Sequence, residues 1–230
     1  MKIGIIAAME QELRLLIQQL KNKRSEQVLT STYYSGQLGN HEVILVQSGV
    51  GKVMSAMSVA ILVDHFGVDA LINTGSAGAL ASGLKIGDVV VADRLVYHDV
   101  DLTAFGYPYG QMSMQPLYFE SAPNFITAFE KVLQGHKCPS KIGLIATGDS
   151  FIANQDKTEM IKSHFPEVLA VEMEGAAIAQ AAQAAAKPFI VVRAMSDTAA
   201  HDANVTFDEF IIEAGKRSAE ILIDFLHILS

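Results

Sequence analysis

Short apolar runs alternate along this chain with segments whose apolar residues recur at helical spacing. Residues 2–8 form a compact apolar run and read as a strand. Residues 10–20 place Leu13, Leu16, Ile17 and Leu20 on one face and read as a helix. Residues 32–38 and 42–46 read as strands joined by a Gly39-Asn40 turn, the signal of a hairpin. A helix comes next over 51–66, then strands over 70–74 and 88–96. Residues 98–119 are rich in Gly, Pro and Tyr and read as irregular. Beyond them the pattern predicts helix 123–133, strand 141–146, helix 156–165, strand 168–171, helix 175–186, strand 189–193 and a long last helix, 207–229. Strands alternating with helices predict a central, largely parallel sheet covered on both faces.

Ligands of such sheets bind beyond the carboxyl ends of the strands, so the residues just after each strand matter. Met9, Glu10 and Glu12 stand after the first. Gly75 to Gly78 (GSAG) stand after 70–74, and Thr147 to Ile152 (TGDSFI) after 141–146. EMEG stands after 168–171, and Ala194 to Asp197 (AMSD) after 189–193. Carboxylates, hydroxyls and glycines therefore gather along one edge. Glu172 and Glu174 have a local explanation, since the dipole of a starting helix favours negative charge in its first turn. The collective placement weighs against that explanation alone.

Composition narrows the function. The chain has 230 residues, half of them hydrophobic, a length that suits one compact α/β domain spanning 1–230. A formal net charge of −8 with no Lys/Arg cluster argues against nucleic acid and anionic membranes as partners. One cysteine, Cys138, excludes an internal disulfide and suits a reducing cytoplasm; a bystander thiol is expected there. The opening MKIGIIAAMEQE is too short an apolar run for a signal peptide, and no apolar stretch is long enough to span a bilayer. A soluble cytoplasmic protein is expected.

No metal set is evident, because the seven histidines lack ligand spacing and neither HExxH nor CxxC occurs. No cofactor motif stands after the first strand, and no serine sits in a nucleophile elbow. Ser48 to Lys52 (SGVGK) is a glycine turn into a helix that reads as a plain turn rather than an anion cradle. What remains is carboxylates, the chemistry of glycosidic cleavage: an acid for the leaving group, a base for water, and negative charge beside a developing sugar cation. Glu12, Glu174 and Asp197 could divide these jobs. Each also has a bland reading. Glu12 suits a helix start, Asp197 a helix cap, Arg193 an outward-pointing strand end, and Met173, Phe151 and Phe207 a core.

Taken together, AAMEQE, NTGSAGAL, ATGDSFI, VEMEGAAIA and VVRAMSDTA, in this order over nearly the whole chain, closely resemble the 5′-methylthioadenosine/S-adenosylhomocysteine nucleosidases of the nucleoside phosphorylase superfamily. The resemblance implies a three-layer α/β/α sandwich with a mixed, largely parallel central sheet, nucleoside phosphorylase-like, and no cofactor. It implies Glu12 as the base that activates water and Asp197 as the acid that protonates adenine at N7, with Ser196 orienting it. Glu174 would bind the ribose hydroxyls and Met173 would pack on the sugar. Arg193 and Ser76 would hold the water and the carboxylates. Phe151 and Ile152 would frame adenine, Ile152 through its backbone, and Gly78 would let the base approach closely. Phe207, Met9 and Val50 would wall the sugar and its 5′ substituent; Val50 stands where the family often has isoleucine. It further implies a homodimer in which Phe105 and Tyr107 of the partner's 98–119 segment complete the 5′ pocket. Glu172 is expected to be a structural partner.

The nearest rival is a phosphorylase of the same fold. Its phosphate needs a cationic or amide-rich pocket, whereas AAMEQE puts acid after the first strand. A non-catalytic nucleoside-binding protein is the rival of another class; adenine release separates it from an enzyme.

Overall fold

The computed structural model describes residues 1–136, 139–199 and 203–229, without the side chains of 203–206. Cys138 lies outside the described residues. β1 (Lys2–Ala7) lies between β4 (His41–Gln47) and β5 (Ala70–Ala79), parallel to both. β3 (Ser31–Leu38) pairs antiparallel with β4 across the expected Gly39-Asn40 turn, where Gly39 takes a φ of +59°. Strand side chains alternate between two cores, as the period of two demands. Ile3, Ile5, Val43 and Leu45 face one; Ile6, Ile44 and Val46 face the other.

The first face is covered by α1 (Glu10–Gln19), α3 (Pro123–His136) and α6 (Ala203–Ile228), through Leu13, Leu16, Phe125, Phe129, Leu222 and Phe225. Phe129 and Phe225 stack at 3.9 Å. The second face is covered by α2 (Lys52–Asp64) and α5 (Gly175–Ala184). α5 is almost bare of large side chains, so its alanines let it lie close to the sheet. At Gly175 an added Cβ would stand 2.5 Å from Leu95 Cδ2. α4 (Gln155–His164) covers a third apolar cluster with Ile161, next to Phe165.

The expected three layers around a mixed sheet are present. The parallel share is smaller than the strand–helix alternation implied: among the described residues five of ten pairings are parallel. The antiparallel pairings let the sheet close on itself. β5, β10 (Phe189–Asp197), β6 (Val89–Tyr97), β8 (Ser140–Thr147) and β9 (Ala170–Glu172) form a ring in which each pairs with the next.

Several elements depart from expectation. β2 (Lys21–Val28, KNKRSEQV) is a strand with no apolar alternation. It is an edge strand exposed along nearly its whole length, so no face of it is selected for burial, and its charges discourage pairing with another chain. β5 and β10 run to Ala79 and Asp197, beyond the expected ends at Thr74 and Arg193. The polar residues expected just past these strands are thus inside them, held by pairing such as Ala194 with Ser76. Finally, α6 begins at Ala203 rather than Phe207, and 98–119 contains a short 3₁₀ turn and β7 (Phe119–Glu120). Among the described residues no helix is long and apolar enough to cross a membrane.

Candidate active site

The carboxyl ends of β1, β5, β9 and β10 surround a cavity of about 260 Å³. Glu12, Glu174 and Asp197 all reach it, together with Arg193, Ser76 and Ser196. Met9, Val50, Gly78, Phe151, Met173 and Phe207 also line it. Ile152 borders an adjoining recess shared with Gly78, Phe151 and Asp197. Phe151 and Phe207 meet edge to face at 5.6 Å. Val50 is half-exposed at the mouth. A larger open groove of about 690 Å³ between α3 and α6 carries the His136–Asp224 pair.

Glu12 sits in the first turn of α1, as its bland reading required, and serves that turn. Its Oε2 accepts the Ala8 and Met9 amides at 3.1 Å each. Its Oε1 turns into the cavity and accepts the Ser76 amide and hydroxyl, both at 2.9 Å. The same carboxylate is therefore a helix cap on one oxygen and a site group on the other. An added Cβ at Gly75 would stand 2.7 Å from that Oε1 and 2.6 Å from Arg193 Nη1, so only glycine lets β5 pass between them.

Asp197 is the last residue of β10 and caps no helix, since α6 starts at Ala203. Its Oδ1 accepts the Ala199 amide at 2.7 Å and its Oδ2 the Ser196 hydroxyl at 3.0 Å. Burial raises its pKa above the ordinary value; those two hydrogen bonds oppose the shift. Gly78 lies beside it, with room for a Cβ only 2.8 Å from Asp197 Oδ1.

Glu172 and Glu174 divide between them the question their spacing raises. The sharp turn into α5 sends them different ways. Glu172 Oε2 accepts the amides of Glu174 (3.0 Å) and Gly175 (2.7 Å), capping α5 from two residues upstream, and pairs with Arg193 Nη2. Its Oε1 accepts the Thr147 hydroxyl. Glu174 faces the cavity. Its Oε1 accepts the Gly51 amide at 2.9 Å, and its Oε2 lies 3.4 Å from Arg193 Nη2. Burial pushes the Glu174 pKa up to about 7; Arg193 opposes the shift and the Glu172 charge adds to it.

Arg193 does not turn outward. It is 1% exposed and spans the site: Nη2 donates to Asn73 Oδ1 at 2.5 Å and Nη1 to the Ser76 carbonyl at 3.3 Å. Burial disfavours its charge, but Glu172, Glu174 and Glu12 outweigh that and raise its pKa. The Gly51 turn that meets Glu174 is fixed from outside. Asp149 Oδ1 accepts the Lys52 amide at 2.8 Å, a cap for α2 supplied by another loop.

The family model for the phosphorylase superfamily matches residues 2–227. A 5′-methylthioadenosine/S-adenosylhomocysteine nucleosidase of Aeromonas salmonicida is 46% identical over 98% of this chain and 99% of its own length. The S-adenosylhomocysteine nucleosidase of Streptococcus pyogenes, solved in complex with 5-methylthiotubericidin, is 70% identical. It superposes with a TM-score of 0.99 over 100% of this chain and 98% of that one. The Neisseria meningitidis 5′-methylthioadenosine/S-adenosylhomocysteine nucleosidase, in complex with methylthio-immucillin-A, is 40% identical with a TM-score of 0.98 over 99% of each chain. The chain belongs to the 5′-methylthioadenosine/S-adenosylhomocysteine nucleosidase family.

Thirteen of the fifteen residues singled out in the sequence converge on the cavity and its recess. Phe105 and Tyr107 do not. Phe105 is 79% exposed, and the Tyr107 hydroxyl lies 3.1 Å from Ser113 Oγ. Among the described residues of one chain, neither lines the cavity that holds the carboxylates. Sequence reasoning missed Asn73 and Thr147, which orient Arg193 and Glu172. Asn73 carried a signal, a polar side chain inside the apolar run 70–74; Thr147 read as standing just past its strand, and the structure buries both fully.

The Glu174 shift makes stability depend on pH. A carboxyl at about 7 in the folded chain, against an ordinary 4.5, binds its proton more tightly folded than unfolded. Its contribution therefore falls as pH rises from 4.5 to about 7. Glu174→Gln removes this slope. Denaturation of both proteins across that window should show the variant gaining on the wild type by up to about 3 kcal/mol, with a flat difference above it. A difference independent of pH would contradict the shift.

Proposed function

We propose that this chain hydrolyses the N-glycosidic bond of 5′-methylthioadenosine and S-adenosylhomocysteine, and of 5′-deoxyadenosine, releasing adenine and the 5-substituted ribose. The observation that carries this reading is that Glu12, Glu174 and Asp197 share one cavity whose cation, Arg193, is already engaged. Arg193 is held by Glu172, Asn73 and the Ser76 carbonyl. A phosphate would need cationic or amide donors there, and it would meet Glu12 instead. Water suits a carboxylate base.

Adenine leaves poorly as an anion, so its departure needs a proton at N7. Asp197 is the group to deliver it, because burial favours the protonated form an acid must start from. Ser196 orients it. Glu12, turned by Ser76 and the Ala8 and Met9 amides, takes the proton of the attacking water. Glu174 accepts the ribose diol and lies under the sugar as positive charge grows there. Met173 packs on the sugar. Phe151 and the Ile152 backbone frame adenine, and Gly78 leaves it room. Met9, Val50 and Phe207 give the 5′ thioether an apolar wall. The whole of 1–230 acts as one nucleosidase domain. In the cell such a reaction serves methionine salvage and methyl-cycle recycling in the cytoplasm.

The acceptor is tested by running the reaction with and without phosphate. Free 5-methylthioribose and adenine should form at equal rates in both. A sugar 1-phosphate, or a requirement for phosphate, would make the chain a phosphorylase; no adenine at all would make it a binding protein.

The acid and the base separate by leaving group. Asp197→Asn should cost ~10²–10⁴ in rate on 5′-methylthioadenosine. It should cost much less on a riboside that loses a nitrophenolate, which departs without a proton. Glu12→Gln should slow both, since water must be activated whatever leaves. A folded Asp197→Asn protein of near-normal activity would reject the acid role.

A homodimer completes the 5′ side. Phe105 (79% exposed) and Met114 (88% exposed) put apolar surface on the 98–119 segment, and Val53 and Met57 put more on α2. An exposed apolar patch of this kind suits a covered interface. Light scattering should return twice the 24.8 kDa chain mass. Phe105→Ala should weaken 5′-methylthioadenosine binding more than adenine binding; a monomer, or equal losses, would count against the shared pocket.

A further inference from the structure

One guanidinium serves two glutamates that are two residues apart, and it serves them unequally. Arg193 Nη2 pairs with Glu172 Oε2 and stands off at 3.4 Å from Glu174 Oε2. Glu172 is saturated. Besides Arg193, its Oε2 takes the Glu174 and Gly175 amides, and its Oε1 takes the Thr147 hydroxyl. Thr147 Oγ1 in turn accepts the Ala176 amide at 2.8 Å. Three successive amides at the start of α5 thus end on Glu172, directly or through Thr147. The positive end of the helix and the arginine both hold its charge in place. Glu174, by contrast, has one amide at 2.9 Å and one long contact, which leaves lone pairs directed into the cavity.

We propose that Glu172 is a positioning residue for the reaction: by holding Arg193 and the first amides of α5, it keeps the Glu174 carboxylate unpaired and aimed at the hydroxyls of a ribose. This rests on the assignment of Glu174 to the sugar. The charged groups facing Glu174 are Arg193 from β10, Glu172 from β9 and Glu12 from α1; the Gly51 amide comes from the turn before α2. If the Glu172 charge is removed, Glu174 becomes the nearest partner left to Arg193. The guanidinium then swings to it, takes the lone pairs meant for hydroxyls, and favours the ionised form.

Glu172→Gln is the variant to use. Its amide oxygen keeps the Glu174 and Gly175 amides, and its NH₂ can donate to Thr147 Oγ1, so shape is kept while the charge that holds Arg193 is lost. The first measurement needs no ligand. The pH window over which wild type and Glu174→Gln differ in stability is compared with the same window in a Glu172→Gln background. It should move down by about one pH unit. A window that stays in place overturns the proposal, because a merely structural Glu172 would lower stability without moving it. If Glu172→Gln does not fold, Thr147→Val, which strips Oε1 of its donor, should move the window in the same direction by a smaller step; no movement overturns the proposal equally.

The second measurement is calorimetric titration with adenine and with methylthio-immucillin-A. Glu172→Gln should bind adenine as the wild type does and the ribose-like ligand about tenfold or more weakly. Equal losses on both ligands, or none, overturn the role toward the sugar. A wild type that binds neither ligand would instead sink the nucleosidase reading, and the stability window alone would then decide what Glu172 does for Glu174.

Discussion

A guanidinium with 1% of its surface exposed is the constraint around which the rest of this structure is arranged. A buried cation costs several kcal/mol unless it is paired and hydrogen-bonded. Arg193 meets that demand at its two Nη atoms, with groups from three elements: Glu172 at the end of β9, Glu174 at the start of α5, and Asn73 and the Ser76 carbonyl on β5. Each partner must come from an element that reaches the same point. The charge therefore ties the sheet edge together as much as the apolar cores do. It also lets several carboxylates coexist in one cavity, where like charges would otherwise drive one another to protonate.

The closed ring of strands supplies the rigidity this requires. β5 and β10 continue past the open sheet as a pair, with one irregularity between Met195 and Asp197. Asp197 is thereby placed on a strand end rather than on a loop. Gly75 and Gly78 are needed because these strands run so close to Glu12, Arg193 and Asp197 that a Cβ at either would collide.

Much of this was legible from residue patterns, and the exceptions have physical causes. α1 was readable because burial on one face imposes a helical period, and β1 and β4 because burial on both faces leaves a continuous apolar run. β2 was not, because neither of its faces is buried. The extensions of β5 and β10 were hidden because polar site residues interrupt the apolar run that marks a strand. Gathering carboxylates at one sheet edge located the cavity. The division of labour between Glu172 and Glu174 was beyond sequence, since it depends on a turn that sends neighbouring side chains apart. Phe105 and Tyr107 drew attention only through resemblance; within one chain their surroundings are solvent and their own loop.

Glu12 holds the first turn of α1 with one oxygen and faces the cavity with the other. Every one of its four hydrogen bonds comes from a donor. An amide in its place would have to present its own N–H groups to backbone N–H groups on one side or to the Ser76 amide on the other. Leaving a buried amide unpaired costs ~1–3 kcal/mol. In evolutionary terms, a lineage cannot drift toward a silent, nucleoside-holding version of this fold by losing that carboxylate alone. Losing Glu12 is also a step toward unfolding, so selection on folding guards this carboxylate even where selection on turnover is relaxed.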